Sequence, residues 1–209
     1  MAHNILVAGS QGSGKGTQAE RLSQELGVPA LSMGQLLRDE IASESALGKQ
    51  MKELVETGRL VPPELSVEVL KARLTKPDVQ NGYILDGFPR SMAQLNAFGF
   101  DGVSHVVVLN IPKEESLRRL THRLTCSSCG AVASELDGKT EGDACACGGR
   151  FQKRTDDTPE AIERRLDIYE AETRPVLDAF AAHGLVREVD GVGSVPEVTE
   201  RIRKAIGLA

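Results

Sequence analysis

The sequence predicts an α/β fold: a five-stranded parallel sheet covered by helices on both faces, interrupted by two inserts. Three observations carry this. Short apolar runs alternate with longer amphipathic stretches along the whole chain. The first apolar run, "NILVAG", leads directly into a glycine-rich turn and then a helical pattern. At 209 residues the chain is long enough for one full core of this kind.

The strands expected are "NILVAG", "VPALSM", "GYILDG", "HVVVLNI" and "LVREVD". Between the first two, "GKGTQAERLSQELG" places Ala19, Leu22 and Leu26 on one helical face, and Gly27 is a natural C-terminal stop. The last helix is predicted to start after Ser194 as N-cap and to run through "VPEVTERIRKAIG". Two regions break the alternation. Residues 32–76 give several short helices without a strand, and 126–153 are rich in Gly, Ala, Ser and Cys with little helical pattern. The expected organisation is therefore a core of 1–31, 77–125 and 154–209, a helical insert at 32–76 and a small insert at 126–153.

Composition narrows the function classes. A formal charge of -5 argues against general nucleic-acid binding, so cations serving an anionic ligand must be gathered locally. No apolar run reaches the length of a membrane span, and the N-terminal residues run straight into a strand without a secretory signal. A cytoplasmic monomer is expected. All four cysteines fall between Cys126 and Cys147, which in such a chain favours a metal over disulfides.

The turn "GSQGSGKGTQ", from Gly9 to Gln18, has the Gly, four residues, Gly-Lys pattern of a phosphate-binding loop, placed between strand and helix as that function requires. Its backbone amides can form an anion nest at a helix N-terminus, with Lys15 reaching the outer phosphates. The usual pattern continues with Ser or Thr, a magnesium ligand. Here Gly16 stands in that place and Thr17 follows one position late.

With that glycine, "GKGTQ" resembles the adenylate kinase family, in which magnesium is held mainly by phosphate oxygens and waters. "LSMGQLLR", "DGFPRSMAQ", "RLTHR", "RTDDTPEAIERRL" and "VDG" follow in the family's order, so the resemblance covers nearly the whole chain. It implies a P-loop NTPase-like fold with an acceptor-binding insert and a zinc-bearing lid. It also implies transfer of phosphate from ATP to AMP, with magnesium and without a general base.

The same resemblance supplies the site. Gly12, Ser13, Gly14, Lys15, Gly16, Thr17, Arg119, Arg123 and Gly193 would bind ATP. Met33, Arg38, Leu60, Val61, Gly87, Arg90, Gln94, Arg154 and Arg165 would bind AMP, with Gly58 beside them. Lys15, Asp86, Arg90, Arg123, Arg154 and Arg165 would be catalytic, and Asp156 and Asp157 would orient the arginines. Arginines suit this work because a planar fork neutralises charge across several phosphate oxygens. Arg119 and Arg123, four apart, are expected on one helix face, while His122 is expected at the surface.

Several positions depart from the family pattern, among them His122 where Gly is usual and the second cysteine pair, which is one residue shorter than usual. Gln11 replaces a proline of the loop, and Met33 and Gln35 stand where Thr and Asp are usual. The threonine helps select AMP, so its loss bears on base choice. Other readings are another nucleoside monophosphate kinase, with a CMP or UMP acceptor or a GTP donor, and a regulatory module that binds nucleotide without transfer.

Cys126 and Cys129 have zinc-knuckle spacing, whereas Cys145 and Cys147 are only two apart and need a bend at Ala146. One structural zinc held by Cys126, Cys129, Cys145 and Cys147 is expected, with Asp143 as a substitute for Cys145 and two disulfides as the alternative.

Overall fold

The computed structural model describes residues 3–56, 61–99, 102–154 and 157–208, without the side chains of residues 53, 55 and 56. All five predicted strands form: β1 (His3–Gly9), β2 (Ala30–Ser32), β3 (Gly82–Asp86), β4 (His105–Asn110) and β8 (Val186–Asp190). They lie in the order β2-β3-β1-β4-β8, and every neighbouring pair is parallel.

The near-continuous apolar runs follow from this burial. Alternate residues of each strand enter opposite faces, and both faces are covered. Ile5, Val7, Ile84, Val107 and Leu109 pack with Ala19 and Leu22 of α1 (Lys15–Leu26) and Val198 and Ile202 of α9 (Val195–Ile206). Leu6, Leu85, Val106 and Val108 enter the larger cluster on the other face, where helices α4 (Pro63–Leu74), α5 (Met92–Phe98) and α8 (Arg174–Ala182) contribute Leu70, Leu95 and Phe180.

Both predicted helix signals hold. Gly27 closes α1 in the left-handed conformation, its N–H bonding to the Ser23 carbonyl. Ser194 caps α9, and Glu197 completes the reciprocal capping box. Residues 32–76 contain α2 (Met33–Ala42), α3 (Ala46–Glu56) and α4, as the strandless helical pattern predicted.

The chain differs from expectation around residue 123. Helix α6 (Lys113–Thr121) stops with His122 at its C-cap, and Arg123 opens β5 (Arg123–Cys126). Arg119 and Arg123 therefore do not share a helix face. The cysteine-bearing segment, which has no strand signal in the sequence, forms a three-stranded antiparallel sheet of β5, β6 (Val132–Ser134) and β7 (Phe151–Gln152). Its buried apolar centre is small: Leu124, Cys126 and Phe151.

Helix α7 (Pro159–Ile168) runs into α8 through a widened π turn, Tyr169–Thr173. Pro175, at the second position of α8, has no N–H for the preceding turn, which suits a local change of helical pitch there. Among the described residues no helix is long and apolar enough to cross a membrane.

Candidate functional site

The glycine-rich turn leaves β1 at the carboxyl end of the sheet, where parallel α/β sheets bind ligands. Gly9 has φ of 136°, and a Cβ there would strike the Leu109 carbonyl on β4, so only glycine lets the chain leave the sheet at this point. Ser13 N–H bonds back to the Ser10 carbonyl at 3.2 Å, closing the turn ahead of α1. The Ser13 hydroxyl and Gln11 Oε1 are buried without a hydrogen-bond partner among the described residues. Unpartnered polar atoms in a turn of this type suit a polar ligand.

Lys15 opens α1 and folds its ammonium back to the Ser10 carbonyl at 2.8 Å. Burial of that ammonium lowers its pKa to about 8. Asp86 opposes the shift, while Arg90, Arg123 and Arg165 add to it. A Cβ on Gly16 would lie 3.7 Å from Asp86 Oδ2, an ordinary contact, so space alone does not demand glycine there. A carboxylate from β3 thus faces the place that a hydroxyl takes in the commoner loop. Asp86 Oδ1 is itself buried without a hydrogen-bond partner among the described residues.

Arg90 follows β3. Its Nε donates to the Gly87 carbonyl at 2.7 Å, and a Cβ on Gly87 would come within 2.6 Å of the guanidinium. Thr173, from the π turn, donates its hydroxyl to the Arg90 carbonyl at 3.0 Å. Burial lowers the Arg90 pKa, with Asp86 opposing and Arg165 and Arg154 adding to the effect.

Asp157 gathers two more arginines. Both its oxygens accept from Arg123, at 2.8 and 2.7 Å, and Arg165 donates to one of them at 2.6 Å. The aspartate is 6% exposed, so this pairing is well shielded from water. Desolvation lowers the Arg123 pKa, Asp157 raises it, and Arg154 lowers it again. Lys15, Arg90, Arg123, Arg154 and Arg165 thus sit in one another's fields, with Asp86 and Asp157 as counter-charges among the described residues.

Arg119 lies beside the phosphate-loop candidate. It pairs with Glu115 at 2.7 Å and reaches the Gly12 and Gly191 carbonyls at 3.4 and 3.1 Å. Hydrogen bonds, first from Arg118 and then from Arg119, hold the Glu115 carboxyl down at about 2. Gly193 follows in the same loop with φ of 127°.

On the other side, Arg38 donates to Gln35 Oε1 at 2.7 Å. Met33 and Val61 are buried in the larger apolar cluster. Gln94 is 4% exposed and accepts the Arg90 backbone N–H at 2.7 Å. Thr17 is partly exposed on the first turn of α1. Leu60, Gly58 and Asp156 lie outside the described residues. The sequence reading missed Glu115, Thr173 and Ser66, whose hydroxyl oxygen accepts from the Gln94 side-chain amide at 3.2 Å. Only Glu115 left a signal, as an acid three and four residues before two arginines.

The four cysteines meet at the end of the small sheet. Their sulfurs all lie within 4.8 Å of one another, with Cys126–Cys147 at 3.5 Å and Cys129–Cys145 at 3.8 Å. A disulfide needs about 2.05 Å, so the pairing alternative is not realised. A tetrahedral ion with metal–sulfur bonds of about 2.3 Å separates its ligands by about 3.8 Å, and the cluster fits that spacing.

Both turns close alike. The Gly130 amide bonds to the Cys126 carbonyl at 3.1 Å, and the Gly148 amide to the Cys145 carbonyl at 2.9 Å. The second turn does this with one residue fewer, which supplies the bend needed at Ala146. Asp143 is engaged elsewhere, accepting from the Thr140 amide and hydroxyl at 2.9 and 3.1 Å. Amides of Cys129 and Ser128 pull Cys126 down to about 6. Cys129 goes up to about 12: the Ala131 amide lowers it, but hydrogen bonding with Cys147 and Cys126 outweighs that.

Comparison with known proteins agrees with this arrangement. A sequence profile of the adenylate kinase family matches residues 7–185. The adenylate kinase of Geobacter sp. (strain M21) is 40% identical over 211 residues, covering 97% of this chain and 99% of that protein. Those of Caldicellulosiruptor bescii and Archaeoglobus fulgidus are 37% and 38% identical, covering 98% and 95% of this chain and 99% and 95% of those proteins. With the phosphate-loop geometry, the gathered arginines and near full-length similarity in agreement, the chain belongs to the adenylate kinase family of phosphotransferases.

Proposed function

We propose that the chain catalyses reversible phosphoryl transfer from ATP to AMP, giving two ADP. The observation that carries this reading is the convergence of Lys15, Arg90, Arg123, Arg154 and Arg165 on one site at the carboxyl end of the sheet. Several phosphates brought together need that much positive charge, whereas a site for one phosphate does not. The acceptor is already an anionic nucleophile, so no residue has to remove a proton. An oxygen of the AMP phosphate forms the new bond to phosphorus as the bond to the β,γ-bridging oxygen breaks.

On this reading the backbone of Gly12 to Thr17 cradles the ATP phosphates with Lys15, and Arg119 stacks on the donor base beside Gly193. Arg38 and Arg90 hold the AMP phosphate, and Met33, Leu60, Val61, Gly87 and Gln94 form the acceptor pocket. Arg123, Arg154 and Arg165 neutralise the oxygens of the moving phosphoryl group. Magnesium bound with the nucleotide supplies further charge neutralisation there. Asp86, whose Oδ1 is buried without a hydrogen-bond partner among the described residues and whose Oδ2 faces Gly16, would orient the water shell of that ion. The small sheet and the helical insert would cover the reactants and keep water from the transferring phosphate.

An assay crossing ATP and GTP donors with AMP, CMP, UMP and GMP acceptors tests the reaction. ATP with AMP should be the fastest pair, and ATP alone should be consumed far more slowly. Equal consumption of ATP with and without an acceptor would make the protein a hydrolase instead.

Lys15 gives a pH dependence. Its ammonium, with a pKa of about 8 in the free protein, is charged below that pH and neutral above it. The kcat/KM for ATP should therefore fall as pH rises through about 8, since that parameter reports the free enzyme. Lys15→Arg should move the fall to higher pH. A wild-type profile that stays flat well into the alkaline range would detach Lys15 from phosphate binding.

The cysteine cluster is read as a structural zinc site: four protein ligands leave no open position, and the small sheet buries too few apolar residues to hold itself together. Protein purified under reducing conditions should contain about one zinc per chain. Cys145→Ser should lower the metal content and Asp143→Ala should not. Absence of metal from reduced wild-type protein, or its loss on the Asp143 change alone, would contradict the four-cysteine site.

A further inference from the structure

Gln94 and Ser66 are both buried, 4% and 1% exposed, and face each other across the contact between α5 and α4. The Arg90 backbone N–H donates to Gln94 Oε1 at 2.7 Å. A backbone N–H can only donate, so the carbonyl end of the Gln94 amide has to point there. Its amino end then meets Ser66 Oγ at 3.2 Å. The serine hydroxyl has one hydrogen, directed at the Pro62 and Pro63 carbonyls, each 3.1 Å away. Towards Gln94 it therefore offers only a lone pair. Turning the amide over would set its amino group against the Arg90 N–H and would require the serine hydroxyl to leave the proline carbonyls in order to donate to the amide oxygen.

The lock reaches further back along the sequence. "RSMAQ" has the spacing of a capping box, and the Ser91 hydroxyl does accept the Gln94 backbone N–H at 3.3 Å. The glutamine side chain, however, bypasses the Ser91 amide and takes that of Arg90. Gln94 is thus tied to the segment that carries Arg90 and, through Ser66, to the helical insert. One amide N–H of Gln94 remains without a partner among the described residues, as does the second lone pair of its carbonyl.

We propose that Ser66 is a positioning residue for choice of the acceptor base: it fixes the Gln94 amide so that a donor and an acceptor are presented in one order. The inference rests on the reading that Gln94 meets that base. An amide held this way matches a base edge with a ring-nitrogen acceptor beside an exocyclic amino group. It mismatches an edge with a ring N–H beside a carbonyl, because donor then meets donor and acceptor meets acceptor. Sites built on such hydrogen bonds discriminate far better than shape alone can. This selection acts independently of Met33, which contributes no hydrogen-bond donor.

AMP and inosine monophosphate present these two edges on the same purine frame, so their kcat/KM ratio isolates the effect. Ser66→Ala should reduce the AMP preference about fivefold, the worth of one net hydrogen bond, through KM and not kcat. The KM for ATP should stay unchanged, and Ser66→Thr, which keeps the hydroxyl, should retain the preference. A purely structural loss would slow both acceptors alike and leave the ratio where it was, which would overturn the proposal. Gln94→Leu separates the two layers. If it abolishes the preference while Ser66→Ala does not, Gln94 reads the base without the help of Ser66 and the proposal fails. If Gln94→Leu also leaves the preference intact, the reading of Gln94 fails, and the role of Ser66 with it.

Discussion

Positive charge crowded into a partly desolvated cleft is the constraint around which this molecule is arranged. Lys15, Arg90, Arg123, Arg154 and Arg165 repel one another, and burial lowers the pKa values of Lys15, Arg90 and Arg123. Asp86 and Asp157 offset part of the repulsion, Asp157 by holding Arg123 and Arg165 at once. Such a cluster is tolerable only on a rigid frame. The parallel sheet sets Asp86 at the end of β3 beside the turn that leads from β1 to Lys15, and the π turn before α8 pins the backbone of Arg90 through Thr173. On the proposed reading, the phosphates of two nucleotides add negative charge to this cluster, so binding would offset its mutual repulsion.

That reading also explains why the two inserts are built so differently. The helical insert shares the main apolar cluster through Met33, Met51, Val61 and Leu70, so it is packed against the core. The small sheet has its own minor cluster and is organised by two cysteine turns. A segment with so little core suits rigidification by a metal.

Much of the fold was legible because the strands are continuous apolar runs with helical stretches between them, and because Gly27 and Ser194 mark helix ends unambiguously. The phosphate-loop candidate was legible from spacing alone. The small sheet was not: its strands are two to four residues long, too short for alternation to show. Arg123 was misplaced onto a helix because four-residue spacing from Arg119 mimics a helix face. The chain instead leaves α6 at His122 and enters a strand. Ser66 and Thr173 gave no signal, since their importance comes from long-range partners, Gln94 and the Arg90 carbonyl, that sequence spacing cannot reveal.

The central claim is that the unliganded site gives up stability in order to bind phosphate. Thermal unfolding of Lys15→Met, with and without ATP, tests it most directly. Removing a charge that burial disfavours should raise the melting temperature of the unliganded protein near pH 7, where wild-type Lys15 is still protonated. The gain should shrink as pH rises above about 8, because the wild-type lysine then sheds the same charge. The stabilisation that ATP confers on the wild type should be largely lost. A variant that is less stable without nucleotide, yet stabilised by ATP as much as the wild type, would contradict the claim.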